Sequence, residues 1–299
     1  MALRTTRIVC VSDTHNCAAS LKLPRGDVLI HAGDLTNQGS HSELSRAVSW
    51  LEDADFEAKI VIVGNHDITL DTRFYDEHGS VFHNQRPESS VNCRALLTGS
   101  PSITFLEHES AKIRLKSSDG PHTEFTVFGS PFSPRRGLWA FGYDADSQPP
   151  PSLWDTIAPG TDIVVTHTPP RTHRDLSDDG RVAGGCEALR RALWRVRPRL
   201  AVCGHIHRGR GAEHVVWGSS DDEAFAEKLT RAWNDPGAGT NKLSLINLTT
   251  GPHDASSKME DETCIVNAAV MKSKHPHVGG KQFHRPIVVD VDLPVWADG

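Results

Sequence analysis

The chain has 299 residues, 37% hydrophobic and 23% charged, with a formal net charge of −6. That composition excludes a disordered chain and provides ample apolar material for a core, arranged as one large α/β domain or two small ones. The acidic balance, with no long basic run, argues against a protein that grips polymeric nucleic acid over many phosphates and leaves room only for a local basic patch.

Met1 to Arg7 is short, polar and basic and lacks the apolar centre of a secretory signal. No stretch reaches the roughly 18 apolar residues of a membrane helix. A cytoplasmic protein with no membrane partner is therefore expected. The cysteines at 10, 17, 93, 186, 203 and 264 form no Cys-x-x-Cys pair, which makes a thiolate zinc site a poor reading. They are expected to be reduced thiols, with Cys10 and Cys203 acting as small buried hydrophobes.

Along the chain, short apolar runs bounded by turn residues read as buried strands. The first covers Arg7 to Ser12 and the second Asp27 to Ala32. Leu44, Val48 and Leu51 then recur at helical spacing over Ser40 to Ala54, with Ser40 or Ser42 as N-cap. A third strand, Ile60 to Val63, runs into Gly64-Asn65-His66-Asp67. A short helix is expected over Asp71 to His78. From Ser80 to Gly129 the segments shorten and alternate, as strands or hairpins with a turn at Ser117 to Gly120. Gly129 to Phe141 is a loop rich in proline, glycine and aromatics. Strands at Asp162 to Thr166 and Leu200 to Cys203 flank a helix from Cys186 to Val196. Residues 219–257 read as a surface insertion with a helix near Asp221 to Trp233. Two last strands are expected at 263–270 and 286–292, all within a single domain over 1–299.

Five of these strands end in residue types that bind metals. They lead into Asp13-Thr14-His15, Gly33-Asp34, Gly64-Asn65-His66-Asp67, His167 and Gly204-His205-Ile206-His207. Each motif alone is weak evidence; a lone His167 is more simply a hydrogen-bonded histidine at a strand end. The ordered set is strong. Asp13, His15, Asp34, Asn65, His167, His205 and His207 form a mixed nitrogen and oxygen set, which suits manganese, iron, zinc, cobalt or nickel better than a soft metal. Seven candidates exceed what one ion needs, whereas two ions sharing Asp34 would use them all. Such pairs, about 3.5–4 Å apart, are a device for phosphoryl hydrolysis. Side chains two apart on an ending strand share a face, so Asp13 with His15, and His205 with His207, can each converge. Gly33, Gly64 and Gly204 precede ligands, where the backbone is expected to turn sharply.

In order and spacing these motifs resemble the signature set of calcineurin-like metallophosphoesterases. Ser12-Asp13-Thr14-His15, Leu29 to Thr36, Thr166-His167-Thr168-Pro169-Pro170 and Gly204 to Gly209 are most similar to the small metallophosphoesterase-domain-containing, cyclic-nucleotide phosphodiesterase-like branch. The likeness runs from about Ile8 to Gly211. It implies a four-layer α/β/β/α sandwich of two mixed sheets flanked by helices. It also implies that Asp13, His15 and His207 hold one metal, that Asn65, His167 and His205 hold the other, and that Asp34 bridges them. His66 would then donate a proton to the leaving group, oriented by Asp67. Two divalent ions are the implied cofactors, manganese first, with iron, zinc, cobalt, nickel or magnesium also compatible.

Departures from relatives narrow the substrate. Gly33 to Gly39 reads Gly-Asp-Leu-Thr-Asn-Gln-Gly, without the arginine that protein phosphatases of the superfamily place there. Asn37 stands where purple acid phosphatases carry a tyrosine. Hydrolysis of small phosphodiesters, cyclic nucleotide or aryl, is the leading expectation, with a small-molecule phosphoester as partner. A dimetal enzyme acting on a non-phosphate metabolite, and a metal-binding scaffold without turnover, are the alternatives. Arg135, Arg136, Trp139, Phe141 and His173 are candidate substrate contacts, although a solvated loop with anchoring aromatics is the plainer reading of the first four.

Overall fold

The computed structural model describes residues 2–145, 152–176, 184–218, 225–249, 261–273, 277 and 280–296. Strands β1 (Leu3–Val11), β2 (Val28–Ala32) and β3 (Ala58–Ile62) lie side by side and parallel, with Val9 opposite Leu29 and Ile30 opposite Ile60. Between β2 and β3 the chain forms α1 (His41–Asp53). Ser40 caps it reciprocally: its hydroxyl accepts from the Glu43 amide while the Glu43 carboxylate accepts from the Ser40 amide. Helices α2 (Thr72–Phe82) and α3 (Ser90–Thr98) follow, then the short strand β4 (Thr104–Phe105).

The second sheet begins with β5 (Glu109–Arg114) and β6 (Glu124–Ser130). A small ribbon of β7 (Ser133–Pro134) and β8 (Gly142–Tyr143) follows, then β9 (Ile163–Thr166). After β9 come α4 (Glu187–Val196), β10 (Leu200–Cys203), β11 (Gly211–Trp217) and β12 (Glu227–Ala232). The chain continues through β13 (Ser244–Leu248), β14 (Glu262–Asn267) and β15 (Ile287–Pro294). One sheet has the order β13-β15-β1-β2-β3-β4 and the other β12-β11-β14-β10-β9-β6-β5. Both are mixed, since β15 runs antiparallel to β1 and β11 antiparallel to β14.

Strand alternation builds the layers. In β1, Ile8 and Cys10 face the second sheet and, with Ile30 and Ile60 of their own sheet, pack in one core with its Phe125, Ile163 and Val202. Val9 and Val11 face outward against Leu44, Leu51 and Phe74. On the far side, Val164, Ala201 and Ile265 pack on Leu189, Leu193 and Trp154. The order is helix, sheet, sheet, helix, as the resemblance implied. Each fully buried branched side chain contributes roughly 1.5–3 kcal/mol, which makes this double interface the main source of rigidity at the strand ends. All six cysteines are free, and no described helix is long and apolar enough to cross a membrane.

Three expectations need correction. The helix near Asp221 to Trp233 is a strand over its described part: β12 pairs antiparallel with β11, and its side chains are exposed from Lys228 to Ala232, so no apolar stripe drives a helix there. Asp221 to Ala224 lie outside the described residues. The stretch expected as a surface insertion instead supplies edge strands to both sheets, and β13 buries Ile246 and Leu248 between them. Within the segment expected to hold only strands and hairpins, Ser90 to Thr98 is helical, capped by the Ser89 hydroxyl and anchored by Cys93 and Leu97, four residues apart.

Candidate dimetal site

The five motifs meet at the carboxyl ends of parallel strands. Strands β1, β2 and β3 deliver Asp13, His15, Asp34, Asn65 and His66 from one sheet, while β9 and β10 deliver His167, His205 and His207 from the other. Backbone bonds hold each edge together and, at Val270, also join one edge to the other. The Asp13 amide donates to Gly33 O at 2.9 Å, the Gly204 amide to His167 O at 3.1 Å, and the Val270 amide to Ser12 O at 2.9 Å. The strand ends are strained: Asp13, His15, Asp34 and His205 all have φ between 41° and 64°. For residues with a side chain this left-handed backbone is costly, and it persists where the surroundings hold it.

The glycines serve closeness more than turning. Only Gly33, with φ 97°, among the three expected turn glycines has a left-handed backbone. A side chain at Gly64 would collide with Asp34, and one at Gly204 with Ser12 and Asp13.

Two clusters of donor atoms form, Asp13 with His15 and His207, and Asp34 with His167 and His205, the atoms of each within 4.8 Å of one another. Asn65 joins the second, its Oδ1 lying 3.0 Å from His167 Nε2. Asp34 stands between the clusters, with Oδ2 3.4 Å from His167 Nε2 and 3.8 Å from His15 Nε2. Its other oxygen accepts from the His66 amide at 2.9 Å. Asp13 is held the same way by the His205 amide, at 3.0 and 3.1 Å.

The donor chemistry fits a pair of cations. His15 Nδ1 donates to Thr36 O at 3.1 Å and His167 Nδ1 to Ala32 O at 2.9 Å. A carbonyl can only accept, so in the neutral ring each Nε2 is left with its lone pair aimed into the site, the arrangement that outer hydrogen bonds give metal-bound histidines. His167 Nε2 then faces Asn65 Oδ1, and His15 Nε2 faces His207 Nε2 at 3.3 Å. Burial pushes His15 to a pKa of about 4 and, together with His167, His205 to about 3, so both are neutral donors. Burial disfavours charge on His167 too, but Asp34 and Asp13 outweigh it and raise it to about 9, leaving a proton that a divalent cation would replace. Burial alone would raise both carboxylates, yet His207 beside Asp13 and His167 beside Asp34 hold them well below the usual range.

His66 is half-buried beside this centre. Its Nδ1 donates to Asn37 O at 2.9 Å, and its ring lies between His15, with centroids 4.8 Å apart, and Trp139, at 4.0 Å. Asp67 does not orient it. The Asp67 carboxylate is fully buried and accepts from the Leu35, Thr36 and Gly64 amides and the Thr36 hydroxyl, all at 2.7–3.2 Å. It therefore staples the loop after β2 to the loop after β3. Burial, then Asp34, raises its pKa to about 6.

The expected substrate contacts divide. A cavity of about 240 Å³ over the centre is lined by Asp34, Asn65, Arg136, Trp139, His205 and others. A larger one of about 1260 Å³ shares His66, Trp139 and His207. Arg135 lines neither; it is exposed and donates to Gly142 O at 2.8 Å within the β7–β8 ribbon. Phe141 is buried in the helix-side core, its amide held by Asp71, and cannot reach a substrate. His173 is also buried, its Nδ1 2.6 Å from Glu213 and its Nε2 2.9 Å from Glu227, away from both cavities.

Sequence reasoning missed Asn267, at the end of β14 beside β10. Its amide donates to Arg174 O at 3.0 Å, Ile206 O at 2.9 Å and Gly204 O at 3.4 Å, bracing the turn that carries His205 and His207. A buried strand ending in a lone asparagine was the available signal. It also missed Asn37, whose backbone carbonyl orients His66.

Two facing mixed sheets with a histidine and aspartate cluster across their carboxyl edges define a metallohydrolase-type centre. The profile of the calcineurin-like phosphoesterases matches residues 6–209, and the chain belongs to that family. It is 36% identical over 217 residues to human metallophosphoesterase domain-containing protein 1, covering 69% of this chain and 62% of that protein. A UPF0046 protein of Caenorhabditis elegans is 34% identical over 211 residues, covering 69% of this chain and 52% of that one. A protein of Emericella nidulans named "Probable rhamnogalacturonate lyase C" is 40% identical over 232 residues, 76% of this chain but 20% of its own length. The match thus spans less than two thirds of each of these relatives.

Proposed function

We propose that the chain hydrolyses small phosphodiesters, of cyclic nucleotide or aryl type, at a two-metal centre. Asp13, His15 and His207 would hold one cation, Asn65, His167 and His205 the other, and Asp34 would be shared. The observation that carries this reading is the set of imidazole Nε2 atoms, bared by carbonyl partners on Nδ1, aimed at other lone-pair donors across two sheet edges. Two divalent cations there, manganese being well suited to the mixed ligand set, supply Lewis acidity that activates water and neutralises phosphate charge.

The protein's own groups do the rest. His66, tied by Nδ1 to Asn37 O, presents Nε2 as the proton donor to the departing alkoxide, which is a poor leaving group without one. Trp139 covers one face of that imidazole and restricts its rotation. Arg136 lines the smaller cavity, and its guanidinium would meet a phosphate oxygen. The lyase name of the Emericella nidulans relative does not transfer, because the match covers 20% of that protein.

The test is a phosphoester panel with metal-loaded protein. Bis(p-nitrophenyl) phosphate should be turned over faster than p-nitrophenyl phosphate. His66→Ala should lose about 10²–10⁴-fold in kcat while keeping its metals, and Asp34→Ala should lose both turnover and metal. Two bound metals with no phosphoester hydrolysed would overturn the reading and point to a non-phosphate substrate.

A further inference from the structure

The larger cavity holds more than the reaction needs. At about 1260 Å³ it exceeds the 300–1,000 Å³ typical of a small-ligand site, and only part of its wall belongs to the centre. The rest of the lining is largely basic: Arg208, Arg210, Lys272 and Lys281, with His277 and His284. No aspartate or glutamate lines the cavity among the described residues. This is a local reversal on a chain whose net charge is −6.

Not all of that charge is available. Arg210 is paired with Asp235 at 2.9 Å. Lys281 donates to His15 O at 3.1 Å, which uses one of its three hydrogens and none of its charge. Lys272 and Lys281 are exposed, and neither has a carboxylate partner among the described residues. The positive field acts on its surroundings: burial first, then Arg210 and Lys272, push His284 down to about 4. The short pairing that carries both lysines is fixed by the Met271–Phe283 bridge and the Lys272 amide on Gln282 O at 2.8 Å. Clefts lined by one sign of charge concentrate ligands of the opposite sign.

We propose that this wall binds a second phosphate, so that the preferred substrates are phosphodiesters carrying a further phosphate group on the portion held away from the metals. Lys272 and Lys281 are the principal contacts, with the metal centre taking the scissile phosphate. The inference rests on the phosphoesterase reading for the identity of the first phosphate, and on the cavity wall alone for the second.

The experiment is calorimetric titration of the manganese-loaded full chain with adenosine 5′-monophosphate and with adenosine 3′,5′-bisphosphate. The bisphosphate should bind about tenfold more tightly at low salt, the sum of two partly exposed charge contacts. That preference should shrink as ionic strength rises. It should fall to within about twofold in the Lys272→Gln/Lys281→Gln double variant and persist in Lys112→Gln on the distant strand β5. Equal affinities in the wild type, no binding of the bisphosphate, or a preference that survives the double variant would each overturn the proposal. Hydrolysis of bis(p-nitrophenyl) phosphate by the wild type is scored separately. Its failure beside an intact bisphosphate preference would sink the phosphoesterase reading and leave the anion site standing.

Discussion

His173 should make the stability of this protein depend on pH in the alkaline range. Both its ring nitrogens face carboxylate oxygens, Glu213 at 2.6 Å and Glu227 at 2.9 Å, and carboxylates only accept. The ring must therefore carry both protons. Burial opposes the charge, but the bonds to Glu213 and Glu227 outweigh it and raise the pKa from 6.5 to about 9. Between those values the folded state holds a proton that the unfolded chain releases. The contribution is complete below pH 6.5 and is lost as pH rises through 9, and it amounts to about 3 kcal/mol. Glu227 works in the opposite sense. Burial would raise it, yet His173 and Arg190 lower it from 4.5 to about 2, so its share is present above 4.5 and lost as pH falls toward 2. Because both values describe one pairing, they are not added. Urea unfolding followed by circular dichroism at pH 6 to 9 measures the effect. The wild type should lose about 3 kcal/mol more than His173→Gln over that range, and the variant should start lower by about 3–5 kcal/mol at pH 6, since it leaves the buried Glu213 without its charged partner. Parallel pH dependences in the two proteins would refute the argument.

Two further substitutions separate scaffold from chemistry. Asp67→Asn keeps the shape but turns an amide NH₂ toward backbone donors that Asp67 now accepts from, and should cost about 1–3 kcal/mol by urea unfolding. Asn267→Ala removes the brace from Arg174 O, Gly204 O and Ile206 O. It should weaken metal retention in equilibrium dialysis by about 10–100-fold, the usual scale for loss of an outer support, while far-ultraviolet circular dichroism stays unchanged.

The strand-end motifs were legible because parallel strands buried on both faces read as unbroken apolar runs, and the polar residues that interrupt them sit at one edge. β2, Val28 to Ala32, is buried along its whole length, and Asp34 follows within two residues. β12 carried no such mark, since its membership in the sheet is made by backbone pairing with β11 while its side chains face water. Residues 133–143 illustrate a second limit. Trp139 lines the cavities and Phe141, two residues on, is buried in the core; which aromatic faces which way is decided by the Asp71 bond to the Phe141 amide. The role of Asp67 was misread for a related reason. Adjacency to His66 suggested a pair, but the donors that claim its carboxylate come from Gly64, three residues back in the same loop, and from Leu35 and Thr36, brought to it only by the pairing of β2 with β3.

The central claim, that one centre holds two cations shared through Asp34, is tested most directly by counting them. After equilibrium dialysis against manganese, elemental analysis of the wild type should give two ions per chain, His66→Ala should match it, and Asp34→Ala should fall to one or fewer. A single ion in the wild type, or two retained without Asp34, would contradict the account.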